Sequence, residues 1–289
     1  MKVAIAQIAP ALGDVARNAK LHREWIQKAR RRGADLVIFP ELSLTGYLLQ
    51  DLVQDLALDM KKSPEIRRLA AQSVDIAILA GIAERSDEFV YYNSAALFEG
   101  GRLAHLHRKV YLPTYGMFDE GRYFGSGDRF RVHHSPSLGK LGVLVCEDAW
   151  HLSASYLLAQ GGADLLCLPS AGPVRGMRHG TEMASRSAWR DLCRVTAQFH
   201  TVYVLYCNRV GQEDGWTYSG GSVAVDPQGQ VIAEAGPDDE ELLVVEVKPE
   251  RLREARAHLP LRRDERPHLV ARELDRLLWK RSETPEDER

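Results

Sequence analysis

Gly33-Ala34-Asp35-Leu36-Val37-Ile38-Phe39-Pro40-Glu41 is the stretch on which the reading of this chain turns. Four consecutive apolar residues, Leu36 to Phe39, mark a strand buried on both faces. Gly33 is a helix C-cap signal, and Val15 to Arg32 ahead of it carries Leu21, Trp25, Ile26 and Ala29 at helical spacing. The stretch has an echo in Gly162-Ala163-Asp164-Leu165-Leu166-Cys167-Leu168-Pro169-Ser170, which also follows a helix-like segment and ends at proline plus a polar residue. Two related helix–strand units imply a doubled sheet, with Ser170 as the counterpart of Glu41 and facing the same site. The alternative is coincidence, since such loops recur in α/β proteins.

Working outward, Val3 to Ile8, Ile76 to Ala83, Leu141 to Val145 and Val202 to Cys207 read as strands. Tyr91 to Phe98 and Leu103 to Lys109 form a hairpin around Glu99-Gly100-Gly101-Arg102. Ser222 to Val225, Val231 to Glu234 and Leu242 to Val247 complete the strands. Helices fit Ser153 to Gln160, Thr181 to His200 and most of Asp51 to Ser73, where Pro64 starts a second piece. Helices mixed with buried and hairpin-linked strands predict a layered α/β domain. Residues 1–249 read as one domain. Residues 250–289 read as a charged helical extension of the same unit, with Glu250 to Ala257 and Leu269 to Lys280 as helices and Ser282 to Arg289 as a frayed polar tail.

The bulk numbers narrow the function. The chain has 289 residues, 45% hydrophobic and 27% charged, with a formal net charge of −2. That is a globular composition without the electrostatic footprint of a nucleic-acid binder. The basic run Lys28 to Arg32 suits the last turn of a helix, where cations favour the dipole. The cysteines are Cys146, Cys167, Cys193 and Cys207, with no Cys-x-x-Cys pair, so zinc and thioredoxin-like chemistry lack support. Met1 to Ala9 has no signal-peptide core, and no apolar stretch approaches membrane-spanning length. The expectation is a reducing cytoplasm, with no membrane or nucleic-acid partner and no metal or other cofactor.

Three strand ends carry chemistry. Gly142-Val143-Leu144-Val145-Cys146-Glu147-Asp148-Ala149-Trp150 is an apolar run that stops at a thiol. It reads as a strand delivering a nucleophile onto a turn, with the helix-like stretch His151 to Gln160 behind it favouring the thiolate. The alternative is a structural core cysteine. The Leu36 strand ends in Glu41, and His107-Arg108-Lys109-Val110-Tyr111-Leu112-Pro113 places a lysine at a third strand end. For a lone lysine the alternative is a solvated strand terminus.

Glu41, Lys109 and Cys146, in that order, resemble the triad of the nitrilase superfamily, the carbon–nitrogen hydrolases, from the opening strand to about Val247. The resemblance implies a four-layer αββα sandwich and cleavage of a C–N bond in a small-molecule amide. Cys146 would form a thioester, Glu41 would carry the proton, and Lys109 with a backbone N–H after Cys146 would stabilise the oxyanion. It also implies a second glutamate near the lysine, for which Glu120 is the match and Asp119 the competitor. A C-terminal extension that packs on a partner subunit suggests a homo-oligomer, at least a dimer.

Gly46 to Leu52, Lys109 to Tyr115, Phe118 to Phe124 and Cys146-Glu147-Asp148 are similar to the glutaminase domain of glutamine-dependent NAD synthetases. By that resemblance Tyr47, Tyr115, Glu147 and Trp150 surround the far end of the substrate. Core packing is the alternative for both tyrosines. Ser219-Gly220-Gly221-Ser222-Val223 lacks the aspartate of a synthetase phosphate loop, so the expectation is an amidase-like domain acting without nucleotide. Ser170-Ala171-Gly172-Pro173-Val174-Arg175-Gly176-Met177 departs from the glutaminase pattern and puts glutamine itself in doubt. The other functional expectations are a nitrilase, disfavoured by Glu147 where tryptophan would stand, and a glutaminase-like subunit active only with a partner.

Overall fold

The structure is a computed structural model that describes residues 1–175, 178–179 and 182–283. Two sheets form its centre. From edge to edge the first runs Glu241–Glu246, Lys2–Gln7, Leu36–Ile38, Ala77–Arg85, Tyr91–Glu99 and Arg102–Arg108. The second runs Val231–Glu234, Val223–Val225, Tyr203–Cys207, Leu165–Pro169, Gly139–Val143 and His133–Ser135. In each sheet three central strands are parallel and antiparallel strands flank them.

The echo in the sequence is an echo in space. Leu36–Ile38 and Leu165–Pro169 each occupy the middle of a parallel trio. Their entries match bond for bond. Asp35 N–H donates to Lys2 O at 2.8 Å and Asp164 N–H to Lys140 O at 2.7 Å. Ala77 N–H donates to Asp35 O at 2.8 Å and Tyr203 N–H to Asp164 O at 3.0 Å. Gly33 and Gly162 end the preceding helices at φ of 71° and 98°, a backbone region open to glycine without strain.

Alternation along the strands sorts the core into layers. Val3, Ile5, Leu36, Ile38, Leu79 and Leu97 join Val143, Cys167, Leu205 and Val225 of the other sheet. Ala4, Ala6, Val37, Phe39, Ile78 and Phe98 face the other way and pack with Trp25, Ile26, Ile66 and Leu69 of the helices Val15–Arg31 and Pro64–Gln72. The helices Leu152–Gln160 and Ala184–His200 cover the second sheet through Ala154, Leu158, Cys193 and Ala197. The result is the expected αββα sandwich. Burying each large aliphatic side chain contributes about 1.5–3 kcal/mol, so the layer between the sheets fixes the spacing of the strand ends that carry the site.

Three sequence expectations change. Asp51 to Ser73 is less helical than expected: a 3₁₀ turn Gln50–Leu52 and a helix Val53–Leu56 precede a two-residue strand, Leu58–Asp59, that pairs with Glu84 and Arg85. The buried face of Val15–Arg31 includes Asn18 and His22, because both are hydrogen-bonded into the site described below. The helix behind Cys146 starts only at Leu152; Cys146–Trp150 is a 3₁₀ turn. The C-terminal helices are Pro249–His258, Leu261–Asp264 and Pro267–Glu283. Gly176, Met177, Thr181 and the end of the polar tail, residues 284–289, lie outside the described residues. Among the described residues no helix is long and apolar enough to cross a membrane, and no group of His, Cys, Asp and Glu is placed to hold a metal ion.

Candidate active site

Glu41 sits on a tight turn at the end of its strand. Leu42, next to it, has φ of 47°, a strained value for a residue with a Cβ. The turn presses against the neighbouring strand at Gly81, where a Cβ would lie 2.3 Å from both Pro40 O and Leu42 N. Only glycine allows that approach. The far side of the turn is held by the first helix: Asn18 Nδ2 donates to Leu44 O at 3.1 Å, and His22 Nε2 meets Ser43 Oγ at 2.9 Å. Burial pushes His22 down to about 4, so it serves as a neutral hydrogen-bonding wedge.

Lys109 enters from the end of the Arg102–Arg108 strand, its backbone N–H on Asn93 O at 2.8 Å and its carbonyl receiving Gly127 N–H at 2.7 Å. Its ammonium is fully buried and donates to Glu41 Oε1 at 2.7 Å and to Glu120 Oε1 at 2.6 Å. Burial alone would push the ammonium down, but the charges of Glu120 and Glu41 outweigh it and hold Lys109 well above the usual lysine range. Burial moves Glu120 the other way, up to about 7. Asn93 Nδ2 donates to Glu41 Oε1 at 2.7 Å, and Tyr47 Oη donates to Glu120 Oε1 at 2.5 Å. Asp119 is exposed and Glu120 is buried, so the loop sends Glu120 inward.

Cys146 stands at the start of its 3₁₀ turn with φ of 46°, the geometry of a nucleophile raised on a strained elbow. The charges of Glu41, Lys109 and Glu120 all act on its thiol. The expectation of a readily formed thiolate does not hold in the resting chain. Burial, then Glu41, push the thiol well above the ordinary cysteine range, and Lys109 offsets them only in part. The site therefore needs a base to take the thiol proton.

The segment after the Leu165–Pro169 strand reaches the site through its backbone. Ala171 N–H donates to Glu41 Oε2 at 2.8 Å, and the same backbone favours the Cys146 thiolate by a hydrogen bond. Ser170 itself is fully buried, its Oγ turned back to Leu168 O at 3.4 Å.

In front of Cys146 opens a cleft of about 410 Å³ lined by Tyr115, Phe118, Glu147, Trp150, Arg175 and Trp189 among others. Tyr115 Oη donates to both oxygens of Glu147 at 3.0 Å, and burial with this bond pushes the phenol up to about 12. Trp150 packs edge-on to Trp189 with ring centroids 5.1 Å apart. Arg175 lies over the rings of Phe118 and Tyr115 at 5.2 and 5.9 Å. Three of the proposed substrate residues, Tyr115, Glu147 and Trp150, thus share this cleft. Tyr47 lines a separate cavity of about 220 Å³ with Glu120, and Ser170 is not among the lining residues. Sequence reasoning missed Asn93, Arg175 and the role of Asp148. Only Asp148 carried a usable signal, as a carboxylate two residues after the nucleophile.

This geometry is that of a carbon–nitrogen hydrolase, and the chain belongs to that family: the Carbon-nitrogen hydrolase model matches residues 2–257. It is 35% identical over 252 residues, 86% of its length, to a glutamine-dependent NAD(+) synthetase of Thermotoga maritima, and spans 42% of that enzyme. A carbon-nitrogen hydrolase of Helicobacter pylori superposes with a TM-score of 0.85 at 28% identity, covering 95% of this chain and 98% of that one. The Nesterenkonia amidase, of the nitrilase superfamily, superposes at 0.77 with 25% identity, covering 94% and 96%, in a glutamate-to-glutamine mutant with the acetamide moiety of fluoroacetamide on its active-site cysteine. The chain thus spans less than half of its NAD synthetase relative and nearly the full length of both hydrolases.

Proposed function

We propose that this chain is a thiol hydrolase that cleaves the C–N bond of a small amide with a polar tail and releases ammonia. The observation that carries the reading is the buried cluster in which Lys109 donates to both Glu41 and Glu120 while all three charges act on Cys146. Glu41 takes the thiol proton as Cys146 attacks the carbonyl carbon. The oxyanion is met by the Lys109 ammonium and a backbone N–H after Cys146. Glu41 then returns the proton to the departing amine and activates water against the thioester. Tyr47 and Asn93 hold the two carboxylates. Glu147 suits an ammonium on the substrate tail and Arg175 a carboxylate, which favours a glutamine-like amide. Residues 1–249 carry this chemistry, and the helices beyond are an extension of the same unit.

A second reading is a glutaminase that hands ammonia to a partner synthetase. It is favoured by the 35% identity to an NAD(+) synthetase of which the chain spans 42%. Assembly into at least a dimer fits the apolar side chains that Leu152, Phe199, Leu274 and Leu278 expose. Light scattering that reports only a 32.4 kDa species at micromolar concentration would contradict it.

The test is ammonia release by the purified chain from amides, carbamoyl compounds and nitriles. Turnover of amides, with an acyl adduct on Cys146 by mass spectrometry, supports the first reading. Nitrile turnover overturns the substrate class. Silence that ends only when a synthetase is added supports the second.

A further inference from the structure

Asp148 is fully buried, and its two oxygens gather donors from two separate parts of the chain. Oδ1 accepts the backbone N–H groups of Val110 at 2.9 Å and Tyr111 at 3.0 Å, the first two residues after Lys109. Oδ2 accepts the backbone N–H of Val145 at 3.0 Å, the residue immediately before Cys146, and lies 2.8 Å from His107 Nε2, two residues before Lys109. The bond to Val145 spans the Cys146 turn alongside the backbone bond from Asp148 N–H to Val145 O at 3.0 Å, and together they fix the entry into that turn. The other bonds seize the loop on both sides of Lys109. A buried carboxylate is stable only when its lone pairs are filled, and here the groups that fill them are the backbones flanking the nucleophile and the oxyanion cation.

We propose that Asp148 is a positioning residue that ties the nucleophile turn to the Lys109 loop and so sets the separation of Cys146 from Lys109. It touches no substrate; it acts through the two segments it joins. Asp is suited to the place because a single short carboxylate offers two acceptor faces at fixed spacing. An amide offers one acceptor and one donor, so Asn must leave either the Val145 side or the Val110–Tyr111 side facing an N–H of like polarity. The tie then opens whichever way the amide turns. A displacement on the order of 1 Å between reacting groups lowers turnover by roughly 10²-fold.

The inference rests on the amide-hydrolase reading, and two measurements keep the failures apart. With an amide that the native chain turns over, Asp148→Asn is expected to lower kcat by roughly 10²-fold while KM stays within about threefold, since the cleft residues Tyr115, Glu147 and Arg175 stay in place. If Asp148→Asn does not fold, Asp148→Glu keeps the charge and shifts the tie by one methylene. Its expected loss in kcat is about tenfold, again at constant KM. A native kcat in either folded variant overturns the proposal, as does a rise in KM that matches the fall in kcat. The second measurement is the rate of Cys146 alkylation by iodoacetamide, followed by mass spectrometry, which needs no amide turnover. Slower alkylation in Asp148→Asn supports the tie even if the native chain proves silent on amides; an unchanged rate overturns it.

Discussion

The strand that ends at Glu41 and the strand that ends at Ser170 hold the same place in two sheets, and their entries share the same backbone bonds. Their exits differ. After Ile38 the chain makes a strained turn against Gly81 and sends a carboxylate into the site. After Pro169 it turns the Ser170 side chain back on its own strand and offers a backbone N–H, from Ala171, to that carboxylate. The two matched strand ends thus place one group proposed to react and one prop. After the Leu36–Ile38 strand the contribution depends on side-chain identity; after the matching Leu165–Pro169 strand it depends on the path of the backbone.

The comparison breaks most visibly if the side chains proposed to react can be removed without effect. Glu41→Gln removes the proposed base while Lys109 and Asn93 remain in place, and turnover is expected to fall by at least about 10³-fold, within the range that positioned acid–base catalysis contributes. Cys146→Ala should abolish turnover and leave the fold intact. Circular dichroism with an ammonia assay checks both, and substantial activity in either folded variant would place the chemistry elsewhere.

Lys109 comes next in size. Lys109→Met is expected to cost at least ~10² in kcat, the scale for losing one oxyanion donor. It also leaves Glu41 and Glu120 facing each other without their shared cation, so a lowered Tm should accompany the loss. Lys109→Arg keeps the charge but not the compact ammonium between two carboxylates, and should fail as well. A rate near native for Lys109→Arg would show that charge alone, without the short bonds to both glutamates, is enough.

The cleft supplies a smaller and more selective effect. Glu147→Gln is expected to raise KM for an amine-bearing amide by about tenfold, the loss of one charge-assisted contact, with little change for neutral propionamide. Equal rises on both substrates would show that Glu147, held by Tyr115, supports the loop and does not read the charge of the substrate.

Much of this was legible because strand ends advertise themselves. A strand that stops at Glu41, Lys109 or Cys146 places a polar group at the end of a sheet whatever the rest of the chain does. The doubled sheet was legible for the same reason, from the repeated Gly-Ala-Asp entry. What stayed hidden depends on distant backbone. Asp148 stands two residues from the nucleophile, but its partners Val110 and Tyr111 are 38 and 37 residues away. Asn93 lies inside an unremarkable strand until its partner at a separation of 52 residues is known. The His151 to Gln160 helix misled because the sequence shows where a helix pattern begins but not that the turn carrying Cys146 is a separate 3₁₀ segment ahead of it.

Ser170→Ala is the smallest expected effect and the one that sharpens the comparison. The sequence echo assigns Ser170 the place of Glu41, and on that count its hydroxyl should matter. Its hydroxyl bond is a long 3.4 Å contact with Leu168 O inside its own strand, while the group that reaches Glu41 is the N–H of the next residue. Removing the hydroxyl leaves that N–H where it is and deletes one weak buried bond, a change of about 0.5–1.5 kcal/mol in stability at most. Turnover is therefore expected within about threefold of native, corresponding to less than ~1 kcal/mol in the barrier, with a lowering of Tm of a few degrees or less. Steady-state kinetics beside a thermal melt decides it. A large fall in kcat at unchanged Tm would mean that the hydroxyl acts on the substrate or on Glu41 during the reaction, and the end of the Leu165–Pro169 strand would then be a reacting partner and not a prop.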